Sequence, residues 1–381
     1  MRRNFNVLTA SMLTLLPTLT LSAAAKDFKT QTVTVSAETV ADGLDHPWGL
    51  AFLPDGALLV TERSGTMRVF DKGKASDPIE NVPEVWANGQ GGLLDVVAAP
   101  DFAASGKIYF TYSQPGQGGA GTALASAKLV RSDDKAALEE VQTLVSMNKK
   151  TSKGQHFGSR IVLSPDGKLF VTMGERGEQK RAQDFNDHAG SVLRINSDGT
   201  IPSDNPFADG KQALPEIWSK GHRNPQGATW DPVTNSMLTL EHGAKGGDEI
   251  NQPQAGKNYG WPVITYGVDY SGAKIGKGTA AEGYEQPLYY WDPSIAPSGL
   301  AAYNGEMFPE WNGDLLAGAL KFEMLVRLDR DETGAIKSEE RLFEGEFGRI
   351  RDVRVAPDGS VYLLTDDSNG KIVRLTRASD V

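Results

Sequence analysis

The stretch GQHFGSRIVLSPDGKLFVTMGERGE, residues 154–178, sets two short apolar runs on either side of Ser164-Pro165-Asp166-Gly167. Proline presets φ, aspartate bonds its own backbone and glycine accepts positive φ, so the tetrapeptide is a tight turn and the runs are paired strands. The phrase returns along the chain: Pro54-Asp55-Gly56 before ALLVTE, Pro100-Asp101 before KIYFTY, Asp231-Pro232 before SMLTLEHG, Pro309-Glu310 before DLLAGALK and Pro357-Asp358-Gly359 before VYLLTDD. Counted proline to proline, the six copies lie 46, 65, 67, 77 and 48 residues apart. Any one copy suits a turn in a β-sandwich. Recurrence over the whole chain instead predicts an all-β, six-bladed β-propeller of four-stranded antiparallel blades, because radial repetition accommodates a long all-β chain with a period of roughly 40 to 70 residues.

Outside these hairpins, 42 glycines and 20 prolines punctuate short runs of Val, Leu, Ile, Phe and Tyr, and helical periodicity is scarce. No linker divides the chain. QPGQGGAG, residues 114–121, is expected as a hairpin or rim loop, and residues 258–286, with NYGWP, as a long loop insertion. At the start, Arg2 and Arg3 precede an apolar run from Val7 to Leu21 and the small residues Ala23 to Ala25, the pattern of a secretory signal. Pro17 and several threonines interrupt that run, so a membrane anchor is disfavoured. The expected organisation is a signal peptide at 1–25 and a single propeller catalytic domain at 26–381, periplasmic or secreted.

The formal charge is −10, and loss of residues 1–25 with their two arginines would make it −12. An acidic chain without a basic tract lacks the electrostatic footprint of a nucleic-acid binder and is repelled by anionic membranes. There is no cysteine, which excludes thiol catalysis and Cys-ligated zinc or iron. HExxH and GxSxG are also absent.

Five histidines remain, and a lone histidine is usually a structural hydrogen-bonder. His156 stands out because it precedes one strand of a hairpin while Glu175 follows the other, 19 residues on. Antiparallel pairing would join them and fix the imidazole tautomer, as a general base requires. Arg223, Lys321, Arg349 and Arg351 each sit at a strand end; converging on one rim, they would bind a polyanion. For any one of them alone, surface charge paired with a neighbour is the simpler reading.

The ordered loops GQHFGSRI, GERGE, GHRNPQG, EHGAKGGDEIN with NYGWP, PSIAPSG, GALK and GRIRDV resemble the soluble PQQ-dependent glucose/sorbosone dehydrogenase family, in particular its aldose sugar dehydrogenase branch, over nearly the whole chain. The resemblance implies a six-bladed propeller carrying pyrroloquinoline quinone (PQQ) beside Ca²⁺. It further implies an enzyme that oxidises the C1 hydroxyl of aldoses to lactones by hydride transfer to PQQ and passes electrons to an external quinone, cytochrome or dye. His156 matches the family's base and Glu175 its supporting carboxylate. Arg223 and Asn224 match residues at the quinone and substrate, while Lys321, Arg349 and Arg351 match groups that hold the cofactor's oxygens. Gln90, in GQGGLLDV, matches a glutamine near the sugar. Gly243 and Ala244 match positions whose carbonyls ligate the cofactor's calcium, and Asp248, Glu249 and Tyr259 resemble a second, structural calcium site. Tyr289 and Trp291 are the candidates for the aromatic that covers the quinone. The chain departs from the glucose-specific branch at Gln155, which stands where that branch has an acidic sugar-binding residue. Two other readings are a calcium-dependent propeller lactonase, which needs several carboxylates converging on one ion, and a non-catalytic propeller that binds sugar or protein.

Overall fold

A computed structural model describes residues 25–132 and 135–379. The signal expected at 1–25 lies outside these residues except for Ala25. Six antiparallel sheets ring a central axis. Blade 1 spans residues 47–75, blade 2 residues 93–146, blade 3 residues 158–220, blade 4 residues 225–291 and blade 5 residues 297–342. Blade 6 takes three strands from the C-terminal end, Ile350–Val355, Val361–Thr365 and Gly370–Arg377, and a fourth, Thr34–Leu44, from the N-terminal end. A fifth strand, Lys26–Lys29, pairs outside it, so this sheet exceeds the expected four. Pairing of Thr34–Leu44 with Gly370–Arg377 closes the ring.

The six Pro-Asp-Gly-type phrases fall where they predict, between the first and second strands of the six blades. Asp55 Oδ1 accepts from Ala57 N–H (3.2 Å) and Asp358 Oδ1 from Ser360 N–H (2.9 Å), which is the aspartate turn bond expected from sequence. These hairpins all lie at one end of the ring. At the opposite end the innermost strands begin and the second strands finish.

Three threonines of the second strands, Thr61, Thr111 and Thr172, join the blades. Thr172 Oγ1 accepts from Arg160 N–H (2.9 Å) in its own blade and donates to Pro225 O (2.7 Å) in the next; Thr111 does the same with Asp95 N–H (3.0 Å) and Ser159 O (2.7 Å). Thr61 links Gly49 N–H to Leu94 O in the same way. The innermost strand of every blade carries a register shift near its start, at 47/49, 93/96, 158/161, 225/227, 297/300 and 350/352. Bulges of this kind re-aim side chains at a strand end.

Apolar clusters fill the space between blades, for example Leu238, Leu240, Ile250, Leu300, Ala317 and Val326 between blades 4 and 5. A buried ion-pair network joins the innermost strands near the axis. Arg160 Nη1 lies 3.0 Å from both Asp95 and Asp352, and Arg354 pairs with the same two carboxylates at 2.5 and 2.8 Å. Among the described residues no helix is long and apolar enough to cross a membrane.

Candidate functional site

At the end of the ring where the innermost strands begin, the loop before each meets the end of the second strand of its own blade. In blade 3 this pairs residues 154–157 with Gly174, Glu175 and Arg176. His156 takes a left-handed φ of 56° and its carbonyl accepts from Arg176 N–H (3.2 Å). Its Nδ1 lies 2.5 Å from Glu175 Oε1, the contact foreseen from their spacing. Because a carboxylate accepts, Nδ1 carries the proton and Nε2 is left as the basic atom. Burial lowers the His156 pKa; Glu175 pulls it up, and the positive charges of Arg223 and Arg176 push it down again. The net direction is downward, so the imidazole is neutral near pH 7.

Neighbouring blades fix this group. Gln90 Oε1 accepts from His156 N–H (2.8 Å), and Gln90 N–H donates to Gly154 O (2.7 Å). Gln155 is exposed beside the base, its side chain against Gly177. From blade 4, Asn224 Oδ1 accepts from Gly158 N–H (3.1 Å), while Arg223 O accepts from Glu175 N–H (2.9 Å). The Arg223 guanidinium lies 5.2 Å from the Trp261 ring and reaches His242 O (3.4 Å).

Asp366 organises the cations of blades 6 and 1. Its Oδ2 accepts from Arg351 Nη2 (2.6 Å) and Arg349 Nη2 (3.5 Å), while Oδ1 meets His46 Nδ1 (2.8 Å) and lies 3.9 Å from Arg63 Nη1. Arg349 also donates to Leu320 O (3.2 Å), next to the exposed Lys321, and Arg351 donates to Gln226 Oε1 (2.6 Å). Sequence reasoning passed over Asp366, which is separated from His46 by 320 residues, and it also passed over His242. This second histidine is half-buried with its Nε2 out of solvent and without a protein partner, and its pKa is driven well below the ordinary value by desolvation and then by Arg223, Arg351 and His156. Nothing in the local sequence marks it apart from its loop.

Of the residues expected at the structural calcium site, Glu249 and Tyr259 line one small cavity and Asp248 does not. Asp248 Oδ1 accepts from Gly243 N–H (2.9 Å) and Oδ2 from Ile295 and Ala296 N–H (2.8 and 3.2 Å). Its carboxylate is therefore spent on shaping the 243–247 and 294–297 loops rather than facing a metal. The Tyr259 hydroxyl is bonded to Gln252 O and Gln254 N–H, and its ring stacks on His222 at 4.8 Å. Glu249 faces a small cavity with Glu241, Tyr259 and Trp261, and burial with repulsion from Glu241 pushes its pKa up to about 8. Two adjacent buried carboxylates form a site that a cation would relieve.

Tyr289 and Trp291 do not join the cluster. They lie on the outermost strand of blade 4, Tyr289–Trp291, and both bond Glu339 of blade 5, at 3.0 and 2.8 Å. Trp291 is buried in the core between those blades, so neither covers a ligand at the axis. Strand alternation turns Tyr290 the other way, onto Tyr266 at 4.0 Å. The expected insertion, 258–286, is indeed a loop between the third and fourth strands of blade 4. It climbs beside Ile217–Lys220, with Gly256 N–H on Trp218 O (2.7 Å) and Tyr259 N–H on Lys220 O (2.8 Å), and delivers Trp261 to Arg223.

An oriented neutral imidazole flanked by the buried cations Arg223 and Arg176 is the arrangement on which comparison with known proteins bears. The family model for glucose/sorbosone dehydrogenase matches residues 44–374. The chain belongs to the glucose/sorbosone dehydrogenase family. Aldose sugar dehydrogenase YliI of Escherichia coli is 46% identical over 350 residues, covering 90% of this chain and 93% of that protein. The crystal structure of the soluble E. coli aldose sugar dehydrogenase in its apo form superposes with a TM-score of 0.87 at 45% identity, covering 90% of this chain and all of that one. The PQQ-bound aldose sugar dehydrogenase of Streptomyces coelicolor gives 0.75 at 29% identity, covering 90% and 98% of the two chains. This glucose/sorbosone dehydrogenase family member is thus an enzyme of the sugar dehydrogenase class.

Proposed function

We propose that this protein is an exported quinoprotein that oxidises the C1 hydroxyl of aldoses to lactones and hands the electrons to an external acceptor. The observation that carries the reading is the His156–Glu175 pair, held beside Arg223 with its imidazole biased to the neutral form. The residues at this face fit a PQQ-like anion. Arg223, Arg349 and Arg351 gather there with Lys321 at the end of the adjoining strand, and buried polar atoms of Arg223 (Nε) and His242 (Nε2) lack protein partners. Fork-shaped guanidinium groups would hold its carboxylates. When bound, PQQ supplies the acceptor for the substrate hydride. The Gly243 and Ala244 carbonyls would hold its Ca²⁺, in a loop whose shape Asp248 fixes. The Glu249 carboxylate, beside Glu241, would hold a second ion.

In this scheme His156 Nε2 removes the C1 hydroxyl proton as hydride leaves C1, and Glu175 stabilises the imidazolium that forms. Gln90 and Asn224 fix the loop on which the base sits. Gln155 and Gln90 stand at the exposed edge where sugar hydroxyls would bind. The test is reconstitution. Protein given PQQ and Ca²⁺ should change its quinone absorbance on addition of glucose and then reduce a dye; a protein that binds PQQ but shows no response to any of a panel of aldoses would refute the assignment.

A further inference from the structure

We propose that Arg176 is a positioning residue for the oxidation: its guanidinium clamps the carbonyls of the loop that carries His156, and its charge opposes protonation of the imidazole. The proposal rests on the aldose reading above and deepens it.

The four consecutive carbonyls of residues 153–156 all have donors, and three of them are held by Arg176. Lys153 O accepts from Nη2 (2.7 Å), Gln155 O from Nη1, and His156 O from the Arg176 N–H (3.2 Å). The carbonyl between the first two, Gly154 O, turns the other way onto Gln90 N–H (2.7 Å). This is the alternation of extended chain, and a planar fork can take both carbonyls on one side at once. A lysine ammonium, a single point on a flexible stem, cannot hold the pair in fixed geometry. Nη2 also reaches Ala120 O of blade 2 (3.5 Å), and the guanidinium lies 3.3 Å from the ring of Phe157, the residue after the base.

Arginine is almost never fully buried unless paired, and Arg176 is fully buried. Among the described residues its ligands are carbonyls, and Glu175 and Glu178 act on it only through space. Burial lowers its pKa to about 9, so the group stays charged near pH 7. Glu175 and Arg176 thus act on the two halves of one residue. The carboxylate fixes the His156 ring through Nδ1, and the guanidinium fixes its main chain. The charged groups that face the imidazole are Glu175 and Arg176 from blade 3 and Arg223 and His242 from blade 4, while blade 2 offers the neutral Gln90. Burial is the main cause of the lowered His156 pKa; Glu175 opposes it, and Arg223 and Arg176 add to it. Of these two arginines, only Arg176 is bonded to the base loop, since the Arg223 guanidinium reaches His242 O instead.

The experiment compares Arg176→Ala and Arg176→Lys with the wild type, all reconstituted with PQQ and Ca²⁺. Arg176→Ala should bind PQQ as the wild type does and lose about tenfold to a hundredfold in glucose kcat, with a smaller change in KM. Its acid limb of kcat/KM should move up by about half a pH unit or more, because a positive charge beside the base is gone. Arg176→Lys keeps the charge without the fork, so its kcat should fall while its limb stays at the wild-type pH. A purely structural role would lower the yield of folded protein and leave the limb still. Wild-type kcat in Arg176→Ala, or an unmoved limb, would overturn the proposal. If Arg176→Ala does not fold, Arg176→Lys decides: reduced kcat with an unmoved limb supports the clamp, and wild-type kcat overturns it. NMR titration of the His156 ring on the same samples without sugar reads the charge effect apart from catalysis, and should give a higher pKa in Arg176→Ala than in the other two. A wild type that binds PQQ yet oxidises no aldose refutes the underlying reading, and the clamp then stands or falls on that titration.

Discussion

His156 has one ring nitrogen bonded to a buried carboxylate and a pKa lowered chiefly by its own burial. A base works only when neutral, and a lowered pKa keeps it neutral to lower pH. Activity should therefore fall as pH drops through a value below the reference of ~6.5. The acid limb of kcat/KM against pH, measured on the reconstituted enzyme, reads this directly; a limb centred above 6.5 would mean that Glu175, and not desolvation, governs the site. The pair was legible in the sequence because a hairpin puts residues that flank its two strands side by side. Asp366 was not legible as a hub, since Arg351 reaches it across one hairpin but His46 lies 320 residues away and only ring closure brings it in.

Among the strands and turns, the Pro-Asp-Gly phrase carried most of the information because φ preferences act locally, and all six copies connect the first two strands of a blade. A threonine of the second strand in blades 1, 2 and 3 is a bond between blades. Thr172 is fully buried, with its hydroxyl accepting from one blade and donating to the next. Thr172→Val leaves Arg160 N–H and Pro225 O unpaired and should cost about 1–3 kcal/mol. Chemical denaturation checks this, and an unchanged midpoint would show that the bond contributes nothing to blade packing. The aromatic residues failed for a related reason. Which face of Tyr289–Trp291 turns to the core depends on packing against blade 5, and three residues of alternation do not encode it.

Over the whole molecule, stability without disulfides rests on inter-blade cores and on closure of the ring. Val35 is fully buried on the N-terminal strand that completes blade 6, paired with Arg377 and packed in the cluster containing Val361, Leu363 and Val373. Val35→Asp buries an unpaired carboxylate there and should destabilise by more than about 4 kcal/mol. Thermal unfolding followed by circular dichroism would show it, and a midpoint near that of the wild type would mean that closure is dispensable. Closure also sets the site, because Arg351 and Asp366 from the last blade face His46 and Arg63 from the first. The central claim is that this closed ring presents His156 as the base. It is tested by His156→Ala reconstituted with PQQ and Ca²⁺: the variant should titrate PQQ with the wild-type spectrum and affinity while glucose no longer reduces the quinone, and glucose-dependent reduction at a rate close to wild type would contradict it.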